Sequence, residues 1–198
     1  MTQTIYLISQ STDEDDERPD GVTYYDPHGE FKRGEGFERF QKNCCISAGK
    51  EKYLLEDWIT PQLFASRPGT TAIEAWDYYL CATFGAFSQR AIDILLPAFG
   101  DRFVPLAATL EGRSYFCLHC KRRIDCLDNA RSDVIYFGDG TSEAMTIDRY
   151  AFHMKDLSRP SIFAIPQLTF RLYCTDDVRD MAAAAGLKGL DFISVYSE

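Results

Sequence analysis

The chain has 198 residues, of which 45% are apolar, 14% aromatic and 26% charged, and this predicts one soluble domain over residues 1–198 that can bury its own core. Thirty acids against 21 lysines and arginines leave a net charge of −9. That balance argues against nucleic acid as a partner, since such affinity comes from cations displacing the counterions of phosphates, and it favours a basic ligand or protein.

Residues 1–9 carry Ile5, Tyr6, Leu7 and Ile8 and predict an opening strand. The next block, Ser11 to Asp20, sets Asp13, Glu14, Asp15, Asp16, Glu17 and Asp20 against Arg18, so −5 of the −9 is concentrated there. Such a segment cannot pack, and a flexible, solvated acidic loop is expected at 11–20. From Asp20 to Gly49 only Phe31, Phe37 and Phe40 offer anchors, which predicts loosely held chain.

Glu74 to Phe87 is rich in aromatics and predicts a buried strand ending near Gly85. Ser88 has the hydroxyl of an N-cap, Ile92, Leu95, Leu96 and Phe99 follow at helical spacing, and Gly100 stops the helix. Phe103–Leu110 and Ser114–Cys120 flank Gly112 as a hairpin, and a second strand pair, Asp133–Phe137 with Met145–Phe152, flanks Gly138-Asp139-Gly140. Ser161–Ile165 and Leu168–Cys174 are strand-like. Thr175 caps a helix with Asp176 and Asp177 in its first turn, an apolar stripe of Val178, Met181, Ala182 and Ala185, and Gly186 at its end. Leu190 to Val195 is a last strand. Strands joined mainly by hairpins, with a few short helices, predict an α+β fold built on mainly antiparallel sheet.

The most metal-like cluster is Cys117-Leu118-His119-Cys120 with Cys126 beyond it, and His153 and Cys174 are further candidate ligands. Zinc needs four soft ligands in a tetrahedron, whereas strand alternation sends Cys117 and Cys120 to opposite faces with no turn residue between them. Small buried hydrophobes is the reading that follows. Cys44-Cys45 has no histidine nearby in sequence, His28 sits in a Pro-Gly loop, and neither a nucleophile elbow nor a phosphate-binding glycine loop is present. No catalytic residue, metal or cofactor is expected. Within Cys126–Asp133, Asp128 or Asp133 is expected to cap a turn or pair with Arg131. The acidic residues Asp13, Glu14, Asp15, Asp16, Glu17 and Asp20 are the candidate docking surface for a basic partner.

The opening residues lack a basic leader, no apolar run approaches a membrane span, and seven cysteines is an odd number; reduced thiols in a cytoplasmic protein are expected, with no membrane partner. The second half resembles a family of bacterial immunity proteins from polymorphic-toxin systems, formerly a domain of unknown function. The resemblance lies in an order of blocks over roughly residues 75–196: the helix from Phe87-Ser88 to Leu96, then Phe103-Val104-Pro105-Leu106 and Tyr115-Phe116-Cys117-Leu118. Ile124-Asp125-Cys126-Leu127-Asp128 through Arg131-Ser132 comes next, followed by Ser161–Pro166 and Ala185–Phe192. It implies a non-catalytic partner that binds and neutralises a cognate toxin. The acidity of the chain favours a nuclease among such toxins, since a toxin acting on nucleic acid is often basic and an acidic inhibitor could cover its substrate groove. It carries no binding residue onto this chain. Two competing readings are a metal- or cysteine-dependent hydrolase using Cys117, His119 and Cys120, and a scaffold that self-associates through its aromatics.

Overall fold

Ile5, Tyr6, Leu7 and Ile8 are apolar at successive positions, so a strand made of them has two apolar faces and needs a packed layer on each. The computed structural model describes residues 3–10, 22–25, 60, 62–65, 76–81, 84–110, 112–138 and 140–198. In chain order the elements are β1 (Thr4–Gln10), β2 (Val22–Tyr25), β3 (Gln62–Ala65), β4 (Tyr78–Cys81), β5 (Phe84–Ser88), α1 (Gln89–Phe99), β6 (Phe103–Leu110) and β7 (Arg113–Cys120). They continue with β8 (Asp133–Tyr136), β9 (Ala144–Arg149), a single 3-10 turn (Met154–Asp156), β10 (Ile162–Phe163), β11 (Tyr173–Thr175), α2 (Asp176–Ala184) and β12 (Leu190–Ser197).

Two sheets and a separate hairpin hold these strands. The first sheet has the order β10-β11-β1-β12 and is antiparallel throughout, with Tyr6 opposite Cys174 on one side and Ser194 on the other. The second has the order β2-β3-β6-β7-β5-β4 and is antiparallel except where β3 meets β6, at Gln62 with Thr109 and Leu63 with Leu110. Among the described residues, β8 and β9 form a two-stranded sheet of their own. Pro105 lies opposite Leu118 of β7 and outside the short β3 pairing, which suits a residue with no N–H to donate. The fold is α+β.

The alternation of β1 distributes its side chains between two cores. Tyr6 and Ile8 enter a cluster with Tyr78, Phe87 and Leu118 of the second sheet, Leu95 and Phe99 of α1, and Val178 of α2. Ile5 enters another with Phe152, Phe163, Ile165 and Tyr173, closed by Ala144 and Ile147 of β9. A third cluster, including Leu63, Trp76, Tyr79, Ala108, Tyr115 and Cys117, draws on the second sheet. Leu95 and Phe99 are almost fully buried, and each such side chain contributes roughly 1.5–3 kcal/mol.

Ser88 caps α1 as its sequence predicts, its Oγ accepting the Ala91 N–H at 3.0 Å. Leu96 departs from the predicted stripe and is 56% exposed, because it follows the buried Leu95 by about 100° around the helix. Thr175 stands at the N-cap of α2 in extended conformation, but its hydroxyl accepts the Ser161 N–H at 3.0 Å and does not cap the helix. Three predicted strands are revised. Glu74–Phe87 holds two strands, β4 and β5, paired antiparallel. Of Leu168–Cys174 only the end is strand, as part of β11. Met145–Phe152 stops at Arg149, after which Phe152 bridges Leu127. The expected acidic loop at 11–20 lies outside the described residues.

The sheets and helices meet at Asp77, just before β4. Its carboxylate accepts the Ser88 hydroxyl at 2.7 Å, Arg90 Nη1 at 2.9 Å and the Lys188 N–H at 2.9 Å. Its N–H donates to the Lys188 carbonyl at 2.9 Å, and its carbonyl accepts the Ser88 N–H at 2.8 Å. Arg90 also donates to the Ala185 and Gly186 carbonyls at the end of α2. The approach is close enough that Gly189, at φ +83°, would place a Cβ 2.4 Å from the Tyr78 carbonyl oxygen.

Gly189→Ala is therefore expected to cost about 2–4 kcal/mol and lower the melting temperature by roughly 5–15 °C. Gly112→Ala is the control: its φ is also positive, at +78°, but its Cβ would meet nothing within 4 Å, so only about 1 kcal/mol of backbone strain is expected. Equal losses in the two variants, measured by thermal unfolding, would show that the contact with Tyr78 is not the constraint.

Candidate functional site

The cysteine cluster comes apart in three dimensions. Alternation along β7 puts Cys117 with Trp76, Tyr79 and Tyr115, whereas Cys120 joins Phe99, Phe103 and Leu118 in the cluster around α1. Cys126 packs with Ile5, Leu127 and Phe163 in the core that Ile5 enters, and Cys174 lies beside β1 in the cluster of Tyr6 and Ile8. His119 is buried on β7, and no group of three or more metal-ligating side chains occurs among the described residues. Burial pushes the Cys120 thiol, whose Sγ donates to the Arg122 carbonyl at 3.3 Å, up to about 11, and pushes Cys126 up to about 12. It raises Cys174 too. A thiol in such surroundings stays protonated at neutral pH, and the thiolate is the nucleophile and the ligand. Cys44, Cys45 and His28 lie outside the described residues, as do Asp13, Glu14, Asp15, Asp16, Glu17 and Asp20.

Arg102, like Asp77, is a charged side chain buried for structural ends. Arg102 donates from Nε to the Ile162 carbonyl at 3.3 Å and from Nη2 to the Ala98 carbonyl at 3.0 Å and Ser161 Oγ at 3.1 Å. It fastens the end of α1 to the first sheet, and desolvation lowers its pKa.

The polar segment Asp128–Asp133 is a built turn. Asp128 Oδ1 accepts the N–H groups of Ala130 at 3.1 Å and Arg131 at 3.3 Å, an Asx arrangement that substitutes a side chain for backbone. Ser132 Oγ accepts the Ala151 N–H at 2.9 Å. Asp133 pairs with Arg149 and not Arg131, through two bonds of 2.9 and 3.0 Å across the β8–β9 ladder. Those bonds hold the Asp133 carboxyl below its usual range and raise Arg149. His153 is 4.0 Å from Asp128.

This turn delivers the chain into β8, where the surface changes character. Ile135, Tyr136 and Phe137 are 49%, 42% and 43% exposed, and Met145 across the hairpin is 57% exposed. The other large exposed hydrophobics among the described residues, Leu96, Phe170 and Ile193, lie on other elements. The reason is geometric: Val134 pairs with Ile147 and both turn to the core, so Ile135 and its partner Thr146 turn outward. Four apolar residues in a row cannot all face inward from a two-stranded hairpin packed on one side. Tyr136 donates its hydroxyl to Asn129 Oδ1 at 3.1 Å, and the Phe137 N–H donates to the Glu143 carbonyl at 3.2 Å. Such a patch of aromatics and methionine has the composition of a protein-binding surface. From sequence these residues predict only a strand. The run Val134-Ile135-Tyr136-Phe137 itself was the available signal.

A model of an immunity protein family (Imm11) matches residues 97–197. The match runs from the last turn of α1 through β12 and includes the β8–β9 hairpin, whereas the Ser88 cap and the acidic run precede it. No curated protein matches the chain. No helix among the described residues is long and apolar enough to cross a membrane.

Burial of Cys117, Cys120, Cys126 and Cys174 makes a direct prediction. In the native protein at pH 8, a maleimide should label these four at least about a hundredfold more slowly than in the denatured chain. Peptide mass spectrometry reads each site separately, and rapid native labelling of Cys120 or Cys126 would contradict the burial described.

Proposed function

The chain belongs to the immunity protein family (Imm11), and from that premise we propose that it binds a cognate bacterial toxin and neutralises it through a non-catalytic protein–protein complex. The observation that carries the reading is the family match over 97–197. The rest of the molecule agrees with a binder. Cys117 and Cys120, on which the hydrolase reading rests, are buried in different cores, so the geometry gives that reading no support. The net charge of −9 suits a basic partner. A toxin that cuts nucleic acid presents a basic groove to its substrate, so a nuclease is the favoured class of toxin and the bacterial cytoplasm the place where the two meet.

The acidic residues Asp13, Glu14, Asp15, Asp16, Glu17 and Asp20 have a kinetic role in this proposal. A concentrated negative block attracts a basic partner over a Debye length of about 8 Å at physiological salt and speeds encounter more than it strengthens the final complex.

The test begins with the tagged chain isolated from its native cells, with mass spectrometry of whatever co-purifies at stoichiometric amounts. The partner is then expressed alone and with this chain. Arrested growth restored by co-expression is the expected result. A partner that is not toxic, or toxicity the chain does not relieve, overturns the proposal. With that partner in hand, replacing the six acids by Asn and Gln should slow association roughly tenfold at low salt and flatten its salt dependence, with dissociation little changed. An unchanged association rate at low salt would remove the acidic run from the interface.

A further inference from the structure

We propose that the outward face of the β8–β9 hairpin, formed by Ile135, Tyr136, Phe137 and Met145, is the surface on which the toxin docks, and that the toxin meets it with an apolar recess rimmed by basic residues. This rests on the functional reading above and adds the place of contact and the chemistry of the partner.

Four of the seven large exposed hydrophobics among the described residues lie on this one hairpin. Interface cores are enriched in Tyr, Phe and Met, and a few such side chains near the centre carry most of the binding energy. The face is held in shape before any partner arrives. Val134, Ala144 and Ile147 anchor the hairpin in the core below, Asp133 and Arg149 join its strands by two bonds, and Asn129 fixes the Tyr136 hydroxyl. Rigid anchors lose less entropy on binding than mobile ones.

Charge chooses between occupants. Residues 133–149 contain Asp133, Asp139, Glu143 and Asp148 against Arg149 alone, net −3. Glu143 and Asp148 are exposed beside the apolar face. A second copy of this chain, meeting it across a twofold axis, would set that negative rim against itself. A basic protein would set opposite charge against it and bury the apolar centre at the same time. The hairpin lies inside the segment matched by the family and the acidic run outside it, so the two features separate into an anchor that sets dissociation and a block that sets encounter.

The experiment uses the full chain and the purified partner whose toxicity it relieves. Ile135→Ser, Phe137→Ser and Met145→Ser, singly and together, are compared with the wild type by melting temperature and by association and dissociation rates. Because these side chains are exposed, melting should shift by less than about 3 °C. The triple variant should bind at least roughly 30-fold more weakly, mostly through faster dissociation. Hydrogen exchange on the wild-type complex, which needs no variant, should show protection across 133–149. Affinity within about threefold of wild type with unchanged melting, or no protection of 133–149, overturns the proposal while leaving the functional reading standing. So does a wild-type dimer that the triple variant converts to a monomer, since the face would then be covered by a second copy. A wild-type chain that forms no complex with any toxic partner overturns the functional reading, and the docking surface with it.

Discussion

A buried carboxylate, Asp77, holds together parts of the chain that are more than a hundred residues apart in sequence. Its two oxygens collect a hydroxyl from the cap of α1, a guanidinium from the first turn of that helix, and a backbone N–H from the loop before β12. Removing such a group from water is costly unless every oxygen finds a donor, and here three donors converge. The arrangement also couples the helices. Ser88 serves Asp77 as a donor and Ala91 as an acceptor, and Arg90 reaches from Asp77 to the last carbonyls of α2. Tyr78 and Gly189 then touch backbone to backbone, which only a residue without a side chain permits.

Around this junction, burial decides chemistry. Cysteines that look reactive as letters are made inert by the cores they occupy, since a low-dielectric interior penalises the thiolate. Arg102 is kept buried by acceptors on two different segments, Ala98 on one and the adjacent Ser161 and Ile162 on the other, and Asp128 spends its carboxylate on closing a turn. These polar groups are occupied with holding the fold together.

Recognition in such a molecule divides between charge and apolar contact. Charge acts at a distance and is screened by salt, whereas apolar burial acts only at contact and is indifferent to it. The chain separates the two along its length. The densest negative charge is near its start, before the matched family segment, and among the described residues the largest group of exposed apolar side chains is on a hairpin within that segment. In the proposed complex, such a separation would let association and dissociation be adjusted independently.

Much of the local structure was legible in the residues themselves. The Ser88 cap, the helix to Gly100, the hairpin around Gly112 and the helix after Thr175 all follow from short-range rules of capping, periodicity and turn geometry. Even the dispersal of Cys117 and Cys120 follows from the alternation of a strand. What escaped was every feature that needs a partner distant in sequence. Asp77 reads as one acid among thirty until Lys188 and Arg90 are brought to it, Asp133 seems suited to Arg131 until the β8–β9 register sets it against Arg149, and Thr175 resembles an ordinary cap until Ser161 claims its hydroxyl. The exposed hairpin escaped for the complementary reason. Sequence shows that Ile135, Tyr136 and Phe137 are apolar, but only the packing of Val134 and Ile147 below them determines that they face the solvent. The sequence by itself determined composition, charge, element type and family, because these depend on neighbours a few residues away. Tertiary structure alone decided which polar groups are consumed and which apolar ones are left over, because both depend on where distant segments come to rest.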